Sequence, residues 1–240
     1  MTRPVLDYTL RRSARARNVR LNIRPDGELV VTLPVRAPER WAVELLAARH
    51  DWVVRHQERL RAEADRLAAR PALGEGRRIP LGGVPHRIEV APLPPDRRRT
   101  RVVHDDAEEP SLRLELARGE IRSAAQILGP WLRAEARDAV ERRVAVRARD
   151  LGAEPDGLAI RDQRSRWGSA SRRGTVSFNW RLILAPPAIL DYVVVHELAH
   201  LVQFGHGRRF WSLVREVVPD ADAARRWLRA HEPDLRSALD

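Results

Sequence analysis

The segment from residue 188 to residue 206 constrains the fold more than any other part of the sequence. It reads AILDYVVVHELAHLVQFGH, a run of mostly apolar residues with few charges. Pro186 and Pro187 precede it and suit the first turn of a helix. Gly205 is placed to end that helix in a left-handed conformation. The pattern therefore predicts one largely apolar helix over about residues 188–204.

Three ionisable residues on this predicted helix have the spacing of a metal site. His196 and His200 are four residues apart, so their side chains share one helix face. Both imidazoles can then reach one ion at the usual Zn–N distance of about 2.0–2.1 Å. Glu197 is rotated by about 100° around the helix axis, so it misses the ion but reaches a water on it. This pattern is typical of hydrolysis in which a carboxylate serves as the general base.

A catalytic zinc ion usually has three protein ligands and one open position. His206 is the first choice for the third ligand, because Gly205 can turn the chain back toward the ion. Glu216, further along the chain, is the alternative. The sequence thus predicts one zinc ion. The remaining histidines are interpreted as ordinary surface or packing residues: His50, His56, His86, His104 and His231.

Composition limits the class of protein. The chain has 240 residues and no cysteine, which excludes disulfides, thiolate metal sites and cysteine nucleophiles. The lack of cysteine and of a secretory signal predicts a cytoplasmic location. The apolar stretches are too short to span a bilayer, so no membrane association is expected.

The net charge of +11 comes entirely from arginine, since no lysine occurs among the 44 basic residues. One interpretation is an arginine-rich surface that contacts nucleic acid. The other is a coding bias, with many arginines paired to the 33 acidic residues.

Apolar periodicity predicts an α+β protein. A β-hairpin is expected over residues 19–33, and helices and further strands follow. Predicted helices lie at about 38–69, 123–151, 208–218 and beyond 220, the second interrupted early by Gly129 and Pro130. Predicted strands lie near 79–90, 101–104, 112–116 and 175–184. We therefore expect a β-rich N-terminal portion with one long helix, residues 1–120, and a second domain, residues 121–240.

The stretch RSRWGSASRRGTVSFNWRLILAPPAILDYVVVHELAHLVQFGHGRRFW resembles the YgjP-like metallopeptidases, relatives of the WLM and SprT-type proteases among the zincins. The resemblance implies that His196, His200 and His206 bind zinc and that Glu197 is the general base. It also implies a zincin-like catalytic domain, in which a strand around residues 176–180 lies near the active-site helix and pairs with an extended substrate. Ala170 stands where the family usually has cysteine, so no thiol role is expected there.

The RSRWGS run has two interpretations. In the first, Arg164 and Arg166 bind a substrate carbonyl or an acidic partner, and Trp167 lines the cleft. In the second, the run is a structural turn that packs on the active-site helix. Asn179 is a further candidate for substrate binding, with Arg166 and Trp167.

The predicted activity is hydrolysis of protein or peptide substrates. Two alternatives remain, a DNA-associated protease of the SprT type and a binding module that keeps zinc for stability. The presence of Glu197 argues against the binding module, because a structural zinc site needs no base.

Overall fold

The computed structural model describes residues 6–24, 27–68 and 73–240. Within those ranges the chain is a mixed α+β protein with five α-helices and ten strands in three sheets. It divides into two compact units, Met1–Pro71 and Ala72–Asp240. None of the described helices is both long and apolar enough to cross a membrane. The cytoplasmic location stays a prediction.

The first unit is a three-stranded sheet with one long helix. Its strands are β1 (Thr9–Ser13), β2 (Arg20–Ile23) and β3 (Leu29–Pro34), in the order β1-β3-β2. The antiparallel pairing of β2 with β3 confirms the predicted hairpin, although residues 25 and 26 of its turn lie outside the described residues. Strand β1, which pairs in parallel with β3, was not predicted. Helix α1 (Arg40–Ala68) confirms the helix predicted over 38–69, whose last residue lies outside the described residues. The core of this unit combines sheet and helix residues: Leu29, Val31, Leu33, Ala37, Ala42, Leu46 and Val53.

The second unit begins with a four-stranded sheet. Its strands are β4 (Arg78–Leu81), β5 (Val84–Pro92), β6 (Arg101–Asp105) and β7 (Ser111–Leu116), in the order β4-β5-β7-β6. The single strand predicted near 79–90 is in fact two strands. Gly82 and Gly83 separate them with positive φ angles of 59° and 81°, a conformation that glycine adopts at little cost. Their backbone N–H groups donate to the carbonyls of Ile183 and Leu184, at 2.8 and 3.0 Å. This turn is thereby attached to the chain just before the apolar helix.

Helix α2 (Ala124–Leu151) follows the four-stranded sheet β4–β7. Ser123 and Gln126 form a reciprocal capping box at its start, which satisfies two backbone N–H groups. The predicted interruption at Pro130 is wrong, since the helix runs through it. Proline removes one backbone hydrogen bond, and the fully buried side chains of Leu128 and Leu132 hold the helix on both sides.

A three-stranded sheet, the second sheet of the larger unit, precedes the apolar helix. It consists of β8 (Gly157–Arg161), β9 (Gly168–Ala170) and β10 (Thr175–Asn179), in the order β8-β10-β9. Only the first half of the strand predicted over 175–184 is confirmed. The second half is a 3₁₀ helix, Trp180–Leu184, because the Asn179 side chain accepts a hydrogen bond from the N–H of Arg181 and begins a helical turn.

Three helices complete the chain, α3 (Pro187–Val202), α4 (Arg208–Val217) and α5 (Ala221–Arg236). The predicted apolar helix is α3, with Pro187 in its first turn. One apolar core joins these helices to the four-stranded sheet β4–β7. Its members include Ile88 and Leu112 of that sheet, Leu132 of α2, and Val194 and Leu198 of α3. The predicted domain boundary near residue 120 would cut through this core. The compact units divide at residues 71 and 72 instead, because the sheet β4–β7 buries its apolar face against α2.

Candidate metal centre

The three predicted histidine ligands converge. His196 and His200 lie on α3. This helix ends at Val202, with Gln203 as its C-cap in an extended conformation, so Gly205 does not end it as predicted; Gly205 (φ 85°) instead turns the chain two residues beyond the cap. One ring nitrogen from each of His196, His200 and His206 lies within 4.8 Å of the other two. The Nε2 atoms of His196 and His206 are 3.2 Å apart. Glu216 is exposed on α4 and does not belong to this group.

The chemistry of these donors fits a divalent ion. Burial, together with the charges of His200, His206 and Arg225, lowers the pKa of His196 to about 3. Burial also lowers the pKa of His200. Neutral imidazoles offer the lone pairs that a metal requires. Two nitrogens on one tetrahedral zinc ion are expected about 3.3 Å apart, close to the spacing of His196 and His206.

Phe210 forms the floor of this group. It is fully buried on α4, and its ring centroid lies 4.4 Å from that of His200, 4.9 Å from His206 and 5.0 Å from His196. All three imidazoles are thus held against one aromatic surface. Phe210 was not among the site residues predicted from the sequence. Its place four residues after His206, in a segment of helical period, is the signal that could have found it.

Glu197 is buried directly behind the histidine group. It is 6 % exposed, and burial raises its pKa to about 7, while the charge of Arg166 opposes the rise. Gly168 of β9 lies against it. A Cβ atom at residue 168 would be 2.6 Å from Cγ and Oε1 of Glu197, closer than carbon atoms pack. The glycine of the RWGS run therefore makes room for the carboxylate, a role that the sequence did not reveal.

A cavity of about 260 Å³ opens beside His196 and Glu197. Two predicted substrate-binding residues, Arg166 and Trp167, line it, together with Tyr192. Helix α5 adds two arginines that no sequence pattern indicated, Arg225 and Arg229. The cavity therefore combines aromatic walls with three guanidinium groups next to the buried carboxylate.

Asn179, the third candidate for substrate binding, does not line this cavity. It is fully buried, so its side chain does not face a substrate. Its Nδ2 donates to the carbonyl of Gln163 at 2.7 Å, and its backbone N–H donates to the carbonyl of Trp167 at 2.8 Å. Asn179 therefore positions the loop that carries Arg166 and Trp167.

The strand expected to pair with substrate is also corrected. Strand β10 contacts α3 as expected, but it pairs with β8 on one side and with β9 on the other. Its backbone groups are consequently used within the sheet. The edge strand beside Glu197 is β9.

Comparison with known proteins shows the family of this chain. A family model described as YgjP-like, metallopeptidase domain, matches residues 17–231. No curated protein matches the sequence. Among solved structures, the chain is similar to the metallopeptidase zymogen abylysin of Pyrococcus abyssi, with 24 % identity and a TM-score of 0.35 over 38 % of this chain and 93 % of that one. Because the family model spans most of the sequence, the chain belongs to the YgjP-like metallopeptidase family.

Proposed function

We propose that this chain is a zinc-dependent metallopeptidase. The observation that carries the proposal is the convergence of three imidazoles beside a buried glutamate at the wall of a cavity. His196, His200 and His206 would hold one zinc ion. When bound, zinc acidifies water and polarises a peptide carbonyl.

Glu197 is the general base. Its pKa of about 7 allows it to take a proton near neutral pH and then to pass that proton to the leaving amine. Gly168 packs against the carboxylate, and Arg166 favours its ionised form. Burial raises the pKa of Tyr192, so its hydroxyl keeps its proton and remains a hydrogen-bond donor in the cavity.

The outer edge of β9 is the place for an extended substrate. An edge strand presents unpaired backbone groups that a peptide can pair with, and β9 lies against Glu197. The arginines of the cavity favour acidic side chains near the scissile bond, since Arg166, Arg225 and Arg229 outnumber the two glutamates there, Glu197 and Glu232.

The test is cleavage of casein by zinc-loaded protein and by its Glu197→Gln variant. Loss of the base is expected to lower kcat by about 10²–10⁴-fold and to leave the zinc content unchanged. Glu216→Gln is the matched control, since that residue is exposed on α4, and it should retain both activity and zinc. Full activity in Glu197→Gln would refute the mechanism, and loss of zinc in Glu216→Gln would refute the ligand set.

The same assay addresses the DNA-associated alternative, which was suggested by the net charge of +11 and by the resemblance to SprT-type proteases. Cleavage that requires single-stranded DNA, and that weakens steeply as salt rises, would support it. Zinc binding without cleavage of any substrate would favour the binding module.

A further inference from the structure

A second group of potential metal ligands lies on the four-stranded sheet of the larger unit. It consists of His86 on β5, His104 on β6 and Asp106 just after β6. His104 Nε2 is 2.8 Å from Asp106 Oδ1 and 3.0 Å from His86 Nε2, and His86 Nε2 is 3.5 Å from the same carboxylate oxygen. From the sequence, both histidines were expected to be ordinary surface or packing residues.

The tautomer of His86 is fixed by its surroundings. Its Nδ1 lies 2.8 Å from the carbonyl oxygen of Val84, which can only accept a hydrogen bond, so Nδ1 carries the hydrogen. In the neutral ring Nε2 is then an acceptor, and it is directed at His104 and Asp106 from a side chain that is only 3 % exposed. A backbone carbonyl that orients an imidazole in this way is the usual support of a metal-binding histidine.

Hydrogen bonding within the group leaves one acceptor poorly satisfied. Nε2 of His86 and Oδ1 of Asp106 are both acceptors, and the single N–H that His104 can direct at them cannot serve both well. A cation between the three atoms satisfies all of them. Two ligands on a tetrahedral zinc ion lie about 3.3 Å apart, and the three distances here, from 2.8 to 3.5 Å, bracket that value.

We propose that His86, His104 and Asp106 form a second Zn²⁺ site, separate from the histidine group on α3. Two imidazoles and one carboxylate are a common ligand set for zinc. The open side of the group faces a cavity of about 550 Å³, which Glu108 and Glu135 also line.

The role of this site is structural. β5 and β6 are not neighbours, since β7 lies between them in the sheet, and a shared ion would join them at one end. The turn before β5 is hydrogen-bonded to the chain just before α3. The ion therefore braces the sheet that supports the start of the active-site helix.

Zinc content per chain tests the proposal. Full-length protein is loaded with Zn²⁺, passed over a chelating resin of micromolar affinity and measured by mass spectrometry. We expect two ions in the unchanged chain, one in His104→Gln, one in His206→Ala and none in the double variant. His231→Gln is the matched control and should keep two, because that histidine stacks on Trp227 and bonds its carbonyl.

Stability gives an independent readout. A metal that binds only the folded chain raises its melting temperature. In the presence of Zn²⁺, His104→Gln should therefore have a lower melting temperature than the unchanged protein. After removal of zinc by a chelator, the two should melt at the same temperature. Asp106→Asn, at a side chain that is 78 % exposed, should lower the zinc affinity without a change in the fold.

The outcomes separate this site from the catalytic one. A single ion that is lost in His206→Ala and kept in His104→Gln would overturn the second site and leave the proposed function standing. A single ion lost only in His104→Gln would establish the second site and contradict the ligand set on α3. Two ions retained in His104→Gln would also overturn the proposal.

Discussion

Gly168 and Glu197 illustrate how a residue without a functional side chain can determine a catalytic geometry. The carboxylate of Glu197 occupies the space in which a side chain at residue 168 would begin. Gly168 does not have a positive φ angle, so glycine is needed here for space and not for backbone conformation.

Replacement of Gly168 by alanine should therefore displace the Glu197 carboxylate. We expect kcat for casein to fall by about 10–100-fold, since a small misplacement of a catalytic group is costly, with the zinc content unchanged. Gly157→Ala on β8 of the same sheet is the control, because a Cβ there would meet nothing closer than 3.8 Å. Equal activity of the two variants would show that Glu197 tolerates the shift.

Sequence reasoning predicted the residues whose relation is local. His196, Glu197 and His200 lie within one helical turn and a fraction of the next, and a single glycine brings His206 back to them, so helix geometry alone places them together. Gly168 and Arg225 reach the site through β9 and α5. Their positions depend on tertiary packing, which no local spacing encodes.

At the scale of elements, a bidentate ion pair links α3 to α2. Arg147 of α2 donates to both carboxylate oxygens of Asp191 on α3, with Nε–Oδ1 at 3.0 Å and Nη2–Oδ2 at 2.7 Å. Asp191 is 7 % exposed, so the guanidinium of Arg147 compensates its carboxylate for the lost contact with water. The pair thus fixes the active-site helix from the side of the core.

Arg147→Met should lower the free energy of unfolding by about 2–3 kcal/mol. A buried carboxylate without its partner costs about 3–5 kcal/mol, and Arg143, which stays 3.8 Å from Asp191, offsets part of that cost. Urea unfolding of the zinc-loaded protein measures the difference.

The control for this change is Arg137→Met on the same helix. Arg137 pairs with Glu141, and both side chains are about half exposed, so this variant should lose less than about 0.5 kcal/mol. Both variants remove one positive charge. Equal losses would mean that the Asp191 pair contributes no more than a surface pair.

Long elements were predicted well and short ones were not. α1, α2 and α3 are 29, 28 and 16 residues long, so an error of a few residues at either end leaves most of each helix correctly predicted. β9 has only three residues, among them one glycine and one serine, which give no apolar alternation to recognise. The 3₁₀ helix at Trp180–Leu184 has the aromatic and aliphatic content of a strand, and the Asn179 cap overrides that preference.

For the whole molecule, the two apolar cores show where the chain can be divided. One core is formed by residues of the first unit alone, and the other extends from Ile79 to Leu235. Apolar periodicity predicted a boundary near residue 120, because predicted strands give way to predicted helices there. The change in secondary structure lies inside a single core, so it does not mark a domain boundary.

Two fragments distinguish these boundaries. Residues 73–240 keep every member of the larger core, so this fragment should unfold cooperatively on heating, bind zinc and cleave casein. Residues 118–240 lack β4–β7 and with them Ile79, Ile88, Leu112 and Leu114, which are at most 1 % exposed in the whole unit. Each lost apolar side chain removes about 1.5–3 kcal/mol of burial, and a domain has only about 5–15 kcal/mol of net stability. The shorter fragment should therefore show no cooperative melting by circular dichroism, and a sharp transition in it would restore the boundary near residue 120.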